Sequence, residues 1–192
     1  MNYNWDRICY VVPTMGVGGS ERQLLQLMRG LAPDFELLVI CTRTDGALAG
    51  DARRLGDLRV LNTRSGWDPR MLPRIERVVR AYRPAVVHTL MFGFDYAANL
   101  AARRAGTPVV VSSRRQLAHW KKGRHIWLQQ RANRHVDAVV ANSRAVAEFA
   151  IEQEKADPAL FRVVYNGIDS ARFRSDGDRE LGLVRDRDRD PA

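Results

Sequence analysis

Three stretches of this 192-residue chain carry residue types that can do chemistry at the end of a strand. The first is Val12-Pro13-Thr14-Met15-Gly16-Val17-Gly18-Gly19-Ser20-Glu21, an apolar run passing through glycines into a helical pattern. Glycines let a backbone approach a ligand closely, and a helix N-terminus offers free N–H groups and a favourable dipole to an anion. Gly16, Gly18 and Gly19 are therefore candidate contacts for a phosphate or a sugar hydroxyl, with a ligand-free strand-to-helix turn as the alternative. The second is His88, at the end of Ala85-Val86-Val87-His88. An imidazole there can hydrogen-bond a hydroxyl or act as an acid or base, or simply be satisfied by backbone. The third is Ser112-Ser113-Arg114-Arg115. A guanidinium forks well onto a phosphate, so Arg114 and Arg115 are candidate anion contacts, with solvated surface arginines as the alternative.

Two sharper readings of the glycine loop fail. A dinucleotide fingerprint needs a third glycine where Glu21 stands, and an acid closing the second strand where Cys41-Thr42-Arg43 stands. A Walker loop needs Gly-Lys-Ser or Gly-Lys-Thr, and the chain has neither.

The elements that must position these residues alternate along the chain. Strand-like runs are expected at 7–12, 35–41, 58–61, 85–88, 108–112, 137–141 and 161–164. Several are continuously apolar, the pattern of strands covered on both faces in a parallel sheet. Helical spacing marks 21–31, 69–82, 94–105, a long basic stretch 117–135, and 143–154. Ser20 with Gln23 reads as a capping box, Gly106 as a C-cap and Ser143 as an N-cap. Asn142 and Asn166-Gly167 read as turn residues. The expected fold is α/β: a doubly wound, mostly parallel sheet with helices on both faces and right-handed crossovers. Ligands in such sheets sit beyond the C-terminal strand ends, which puts the glycine loop, His88 and Ser112–Arg115 on one rim. Residues 1–173 are expected to form this domain, and the charged stretch 174–192, with its Arg-Asp repeats and at most a helical turn at Glu180–Leu183, a loose tail.

The net charge of +9 favours anionic partners, although all basic residues except Lys121, Lys122 and Lys155 are arginine, as codon bias alone could produce. His119-Trp120-Lys121-Lys122-Gly123-Arg124-His125-Ile126-Trp127 mixes basic and aromatic residues. Peripheral membrane contact through 119–135 is one reading, nucleic acid a less favoured one, and an ordinary amphipathic helix a third. No apolar run approaches the ~20 residues that span a bilayer, and the first residues lack a secretion signal. The expected location is cytoplasmic, or peripheral at the inner face of the membrane. Cys9 and Cys41 lie in predicted strands and read as reduced core thiols.

Four segments in order resemble one family. Gly18-Gly19-Ser20-Glu21-Arg22 looks like the opening of the GT-B glycosyltransferases of family 4. Pro84–Thr89, Asp137-Ala138-Val139-Val140-Ala141-Asn142-Ser143 and Val163-Val164-Tyr165-Asn166-Gly167-Ile168-Asp169, with Phe173, are similar to its later segments. The resemblance implies a Rossmann-like N-terminal domain, half of a GT-B fold, that binds the acceptor while its glycine loop approaches the donor phosphates. The second domain would bind the nucleotide sugar through paired glutamates, and that segment does not occur in this sequence. The implied reaction is retaining, metal-independent transfer of a sugar from a nucleotide sugar to a hydroxyl of a saccharide or lipid-linked acceptor. It needs no cofactor. The resemblance places His88 beside the reacting groups; many relatives carry a His near Ser112–Arg115, where this chain does not. Two alternatives stand: a truncated or split half, inactive until a partner chain supplies the C-terminal domain, and a basic module binding nucleic acid or a membrane surface.

Overall fold

The computed structural model describes residues 4–66 and 68–168. The expectations placed on Asp169, Phe173 and 174–192 fall outside the described residues. Among the described residues, seven strands form one sheet: β1 (Asn4–Val12), β2 (Glu36–Cys41), β3 (Asp57–Val60), β4 (Pro84–Thr89), β5 (Val109–Arg114), β6 (Ala138–Ala141) and β7 (Phe161–Val163). Six α-helices among these residues connect them: α1 (Gly19–Leu31), α2 (Ala49–Arg53), α3 (Met71–Tyr82), α4 (Asp95–Ala105), α5 (Gly123–Asn133) and α6 (Arg144–Glu154), with a short 3-10 turn (Pro158–Leu160) before β7. The spatial order is β3-β2-β1-β4-β5-β6-β7, and every pairing is parallel.

Alternate residues of β1 show why the runs are continuously apolar. Cys9 and Val11 enter one core with Met71, Ile75 and Val79 of α3. Ile8, Tyr10 and Val12 enter the other with Leu24, Leu25 and Met28 of α1. Both faces are dry, so neither can carry polar alternation. Cys9 and Cys41 belong to different cores and remain free, buried thiols. Burial pushes the Cys41 thiol up to about 11, so it is protonated at neutral pH.

The helix ends follow local chemistry. The Ser143 hydroxyl accepts from the Val146 N–H at 3.2 Å and starts α6. Gly106, at φ 86°, ends α4 in the left-handed region that glycine enters without strain. Asp68 accepts from the backbone N–H groups of Arg64 and Arg70, each at 3.0 Å, just ahead of α3. The Arg70 guanidinium first, and then those backbone bonds, hold its carboxyl well below the usual range.

Three expectations change. The short α2 lacks an apolar stripe long enough to announce itself. The basic helix spans Gly123–Asn133, not 117–135, because the chain before it turns inward to bury Lys121. The capping box does not form: α1 begins at Gly19, so Ser20 sits inside the first turn, and the cap is Gly18, without a side-chain bond.

The order of the strands decides where a ligand can sit. Successive crossovers run outward from β1 to β3, and the chain then returns to lay β4 on the other side of β1. Loops after β1 and β4 therefore diverge and leave a crevice at the C-terminal ends of these strands.

Candidate functional site

The glycine loop after β1 is fixed by its neighbour rather than by its own residues. The Met15 N–H donates to the Asp45 carbonyl at 2.7 Å, and the Leu48 N–H to the Met15 carbonyl at 2.8 Å. Gly46, at φ +84°, packs against the Met15 backbone where a side chain would collide. Gly18 has a different reason to be glycine. The buried Glu21 folds its carboxylate back over it, into the space a Cβ would fill. Gly19 has open space around its Cα, and Gly16 meets Thr14 and Glu21 at ordinary contact distance. An anion approaching this helix N-terminus therefore meets the dipole with a carboxylate already beside it.

His88 stands at the end of β4, next to the crevice. Its Nε2 lies 2.8 Å from the Ser113 hydroxyl on β5, and its ring tilts against Tyr10 of β1 at 5.8 Å. Burial, and then the positive Arg115, depress its pKa to about 4. At neutral pH it is an uncharged imidazole suited to hydrogen bonding.

Arg114 departs from expectation. It is buried, with its Nε donating to both Glu154 carboxylate oxygens at 2.9 and 3.2 Å. One Nη reaches the Ser112 hydroxyl and the Ser113 carbonyl; the other reaches Asn133 and Glu154. The guanidinium has five N–H donors, and these contacts engage all of them. None is left for a phosphate, so Arg114 is a core residue that anchors α6 to the sheet. Burial would raise the Glu154 carboxyl, but Arg114 and Lys121 outweigh it and hold the group below its ordinary value. Burial lowers the Lys121 ammonium against the pull of Glu154, 3.3 Å away.

Arg115 leaves the strand and reaches the rim. One guanidinium nitrogen donates to Asn166 Oδ1 at 2.7 Å, and its carbonyl accepts from Asn142 Nδ2 at 3.0 Å. Across the crevice, Gln23 Nε2 donates to the Gly167 carbonyl at 2.8 Å. The glycine-loop helix, Arg115 just past β5, the Asn142 turn and the Asn166-Gly167 segment are thus tied together around one opening. His88 joins them through Ser113.

A cavity of about 340 Å³ opens beside this knot. Leu90, Met91, Phe92 and Trp120 make an apolar side, and Ser113, Arg115, Gln116 and Lys121 a polar one. Ser20, in the first turn of α1, also borders it, so the cavity joins the glycine loop to the arginine rim.

Compared with protein families, residues 17–172 match the model described as Glycosyltransferase Family 4. The chain belongs to Glycosyltransferase Family 4. A comparison with curated proteins gave no match. Among solved structures, the chain is similar to Anabaena Alr3699/HepE in complex with UDP and glucose, at TM-score 0.74 and 16% identity, covering 92% of this chain and 50% of that one. It is also similar to a glycosyltransferase from Rickettsia africae, at TM-score 0.66 and 16% identity, with 96% and 51% covered. A UDP-N-acetylglucosamine 2-epimerase shares the fold at TM-score 0.58 and 14% identity, with 85% and 49% covered. The chain therefore spans about half the length of these structures and has the fold of one GT-B half. The epimerase shows that this fold also carries other chemistry.

Several site-forming residues escaped the sequence reading. Phe92 sits in a turn with no motif around it. Lys121 read only as part of a mixed basic and aromatic stretch, yet it is 6% exposed while Lys122 is exposed. Glu154 read as the polar end of a helix and is 1% exposed. Their shared signal was present but faint: a Glu closing a helix whose partners had to come from distant segments. Among the described residues, no group of three or more His, Cys, Asp or Glu side chains is placed to hold a metal, and no helix is long and apolar enough to cross a membrane.

Proposed function

We propose that this lobe forms the acceptor-side wall of a retaining, metal-independent glycosyltransferase that moves a sugar from a nucleotide sugar to an acceptor hydroxyl. The observation that carries the reading is the convergence of the family's segments on one crevice, bound together through Gln23, Asn142, Arg115 and Asn166. HepE is solved with UDP and with UDP-glucose, which supports a uridine diphosphate sugar as donor. In this reading Gly16 and Gly19 let donor phosphates approach the start of α1 once the Glu21 carboxylate swings off Gly18, and Arg115 supplies a charge-assisted bond. Neutral His88 contacts a hydroxyl of the reacting sugars, and a donor-binding lobe, in the same chain or in a partner, closes the other wall.

Titrating the isotopically labelled chain with UDP-glucose tests this. Amide shifts should gather at the glycine loop, His88 and Arg115, with no glucose transferred or released by the lobe alone. Shifts confined to the opposite ends of the strands would overturn the site, and turnover by the lobe alone would overturn the need for a second wall.

A peripheral membrane position has its own support. Arg124, Trp127, Arg131 and Arg134 form one exposed stripe along α5 and beyond, with the Arg131 guanidinium 4.5 Å from the Trp127 ring. No acid occurs from 115 to 136. Indole and cationic groups together suit an anionic lipid surface. Sedimentation with phosphatidylglycerol vesicles should weaken with salt and with Trp127→Ala; co-sedimentation with neutral vesicles alone would contradict it.

A further inference from the structure

The glycine loop already holds an anion of the protein's own. Glu21 is 8% exposed, in the first turn of α1, and its carboxylate folds back between two glycines. Its Oε1 lies 3.3 Å from the point where a Gly18 Cβ would stand and 3.9 Å from the corresponding point on Gly16. Among the described residues no hydrogen bond or ion pair reaches that carboxylate. The other buried acids among these residues each accept from a side chain: Asp68 from Arg70, Asp95 from Gln129 and Glu154 from Arg114. What offsets the burial of Glu21 is the positive end of the α1 dipole.

A carboxylate buried without a hydrogen-bond donor is unfavourable, and return to water relieves that cost. A ligand phosphate at the start of α1 uses the same dipole, and two anions in contact there repel each other. The backbone around the carboxylate is fixed. The Met15 N–H donates to the Asp45 carbonyl, the Arg22 N–H donates to the Gly18 carbonyl at 3.1 Å, and the Gln23 side chain is tied to Gly167. The Glu21 side chain is therefore free to turn while the loop stays, and the open space at Gly19 gives it room.

We propose that Glu21 is a latch: an internal stand-in for a donor phosphate, which shuts the start of α1 against anions until a ligand with a second anchor expels it. The proposal rests on the glycosyl-transfer reading and adds how access to that site is regulated. A nucleotide diphosphate has the second anchor, because Ser20 of the same helical turn and Arg115 border one cavity. A lone phosphate ion at the helix start has none. Glu21 thereby favours the sugar nucleotide over small anions.

The test compares the whole chain with Glu21→Gln, which keeps the size of the side chain and removes its charge. Titrations with UDP, inorganic phosphate and uridine are followed by amide shifts, with the Glu21 carboxyl carbon observed in the wild type. UDP should move that carbon, and should bind Glu21→Gln about three- to tenfold more tightly. Inorganic phosphate should shift the glycine-loop amides of the variant and leave those of the wild type in place, while uridine should bind both equally. Circular dichroism confirms that the variant is folded. Unchanged or weaker UDP binding by folded Glu21→Gln, a gain for uridine as large as that for UDP, or a Glu21 carboxyl carbon that stays put as UDP saturates the wild type would overturn the latch. If UDP still shifts the glycine loop and Arg115 in that case, the donor site survives and the latch alone falls. If UDP shifts neither in either protein, both fall.

Discussion

Arg114 lies sealed beneath α6, with every guanidinium donor on an internal acceptor, while Arg115, the next residue, stands at the crevice with one nitrogen on Asn166. The same residue type thus does two kinds of work within one step of chain. Arg114 is the last residue of β5 and follows Val110 and Ser112 onto the face covered by α4, α5 and α6. Arg115 has left the strand and is free to follow the rim. The buried ion cluster gives the loop above it a fixed base, and the open arginine gives that loop a charge to use. Removing one partner of a buried pair leaves an uncompensated charge, whereas a half-buried arginine with one neutral amide partner leaves none behind.

Breaking the contrast at its buried end should have the largest effect. Arg114→Ala or Glu154→Ala should cost about 3–5 kcal/mol in urea unfolding, and Arg115→Ala within about 0.5 kcal/mol. The triple variant Arg114→Met/Lys121→Met/Glu154→Met should recover more of the loss than Arg114→Met/Glu154→Met, which leaves the buried Lys121 ammonium without its Glu154 partner. Equal costs for Arg114→Ala and Arg115→Ala would erase the distinction.

The next effect concerns His88, which sits on the open side but is held neutral. Its folded pKa of about 4 lies below its ordinary value of 6.5, so the unfolded chain binds the extra proton between those values. Its contribution is complete above about pH 6.5, is lost as pH falls toward about 4, and is constant below that. The loss reaches up to about 3 kcal/mol. Subtracting the unfolding profile of His88→Asn from that of the wild type isolates it from carboxylates titrating nearby. A flat difference between pH 6.5 and 4 would contradict the assignment.

Smaller effects sharpen the picture of the glycine loop. Gly18→Ala should cost less than about 1 kcal/mol, because only the movable Glu21 carboxylate stands in the way, and Glu21→Ala should relieve it. Gly19→Ala, with nothing in its path, should be neutral or slightly stabilising in thermal unfolding. Ser143→Ala, which removes the α6 cap, should cost about 1 kcal/mol.

Much of the fold was legible because β1, β2, β4 and β5 are continuously apolar runs and both their faces are dry. Ser143 and Gly106 announced helix ends through purely local chemistry, and both serve as caps. The rim was legible to the level of segments: the glycine loop, His88 and Arg115 do gather at the β1–β4 crevice. Which arginine faces inward depends on where β5 ends, and that is set by pairing with β4 and β6. Lys121 is buried because Phe92 and Glu154 arrive from distant parts of the chain, and the same inward turn shortens the helix that periodicity extended back to 117. Ser20 and Gln23 had the right spacing for a capping box, but Gly167 supplied Gln23 with a tertiary acceptor.

The most direct test of Arg115 as the charged contact of the sugar-nucleotide rim is calorimetric titration of UDP-glucose into the wild type and Arg115→Ala. Loss of one charge-assisted bond should weaken binding by about tenfold or more while unfolding stability stays the same. An unchanged affinity in a fully folded Arg115→Ala variant would contradict the account.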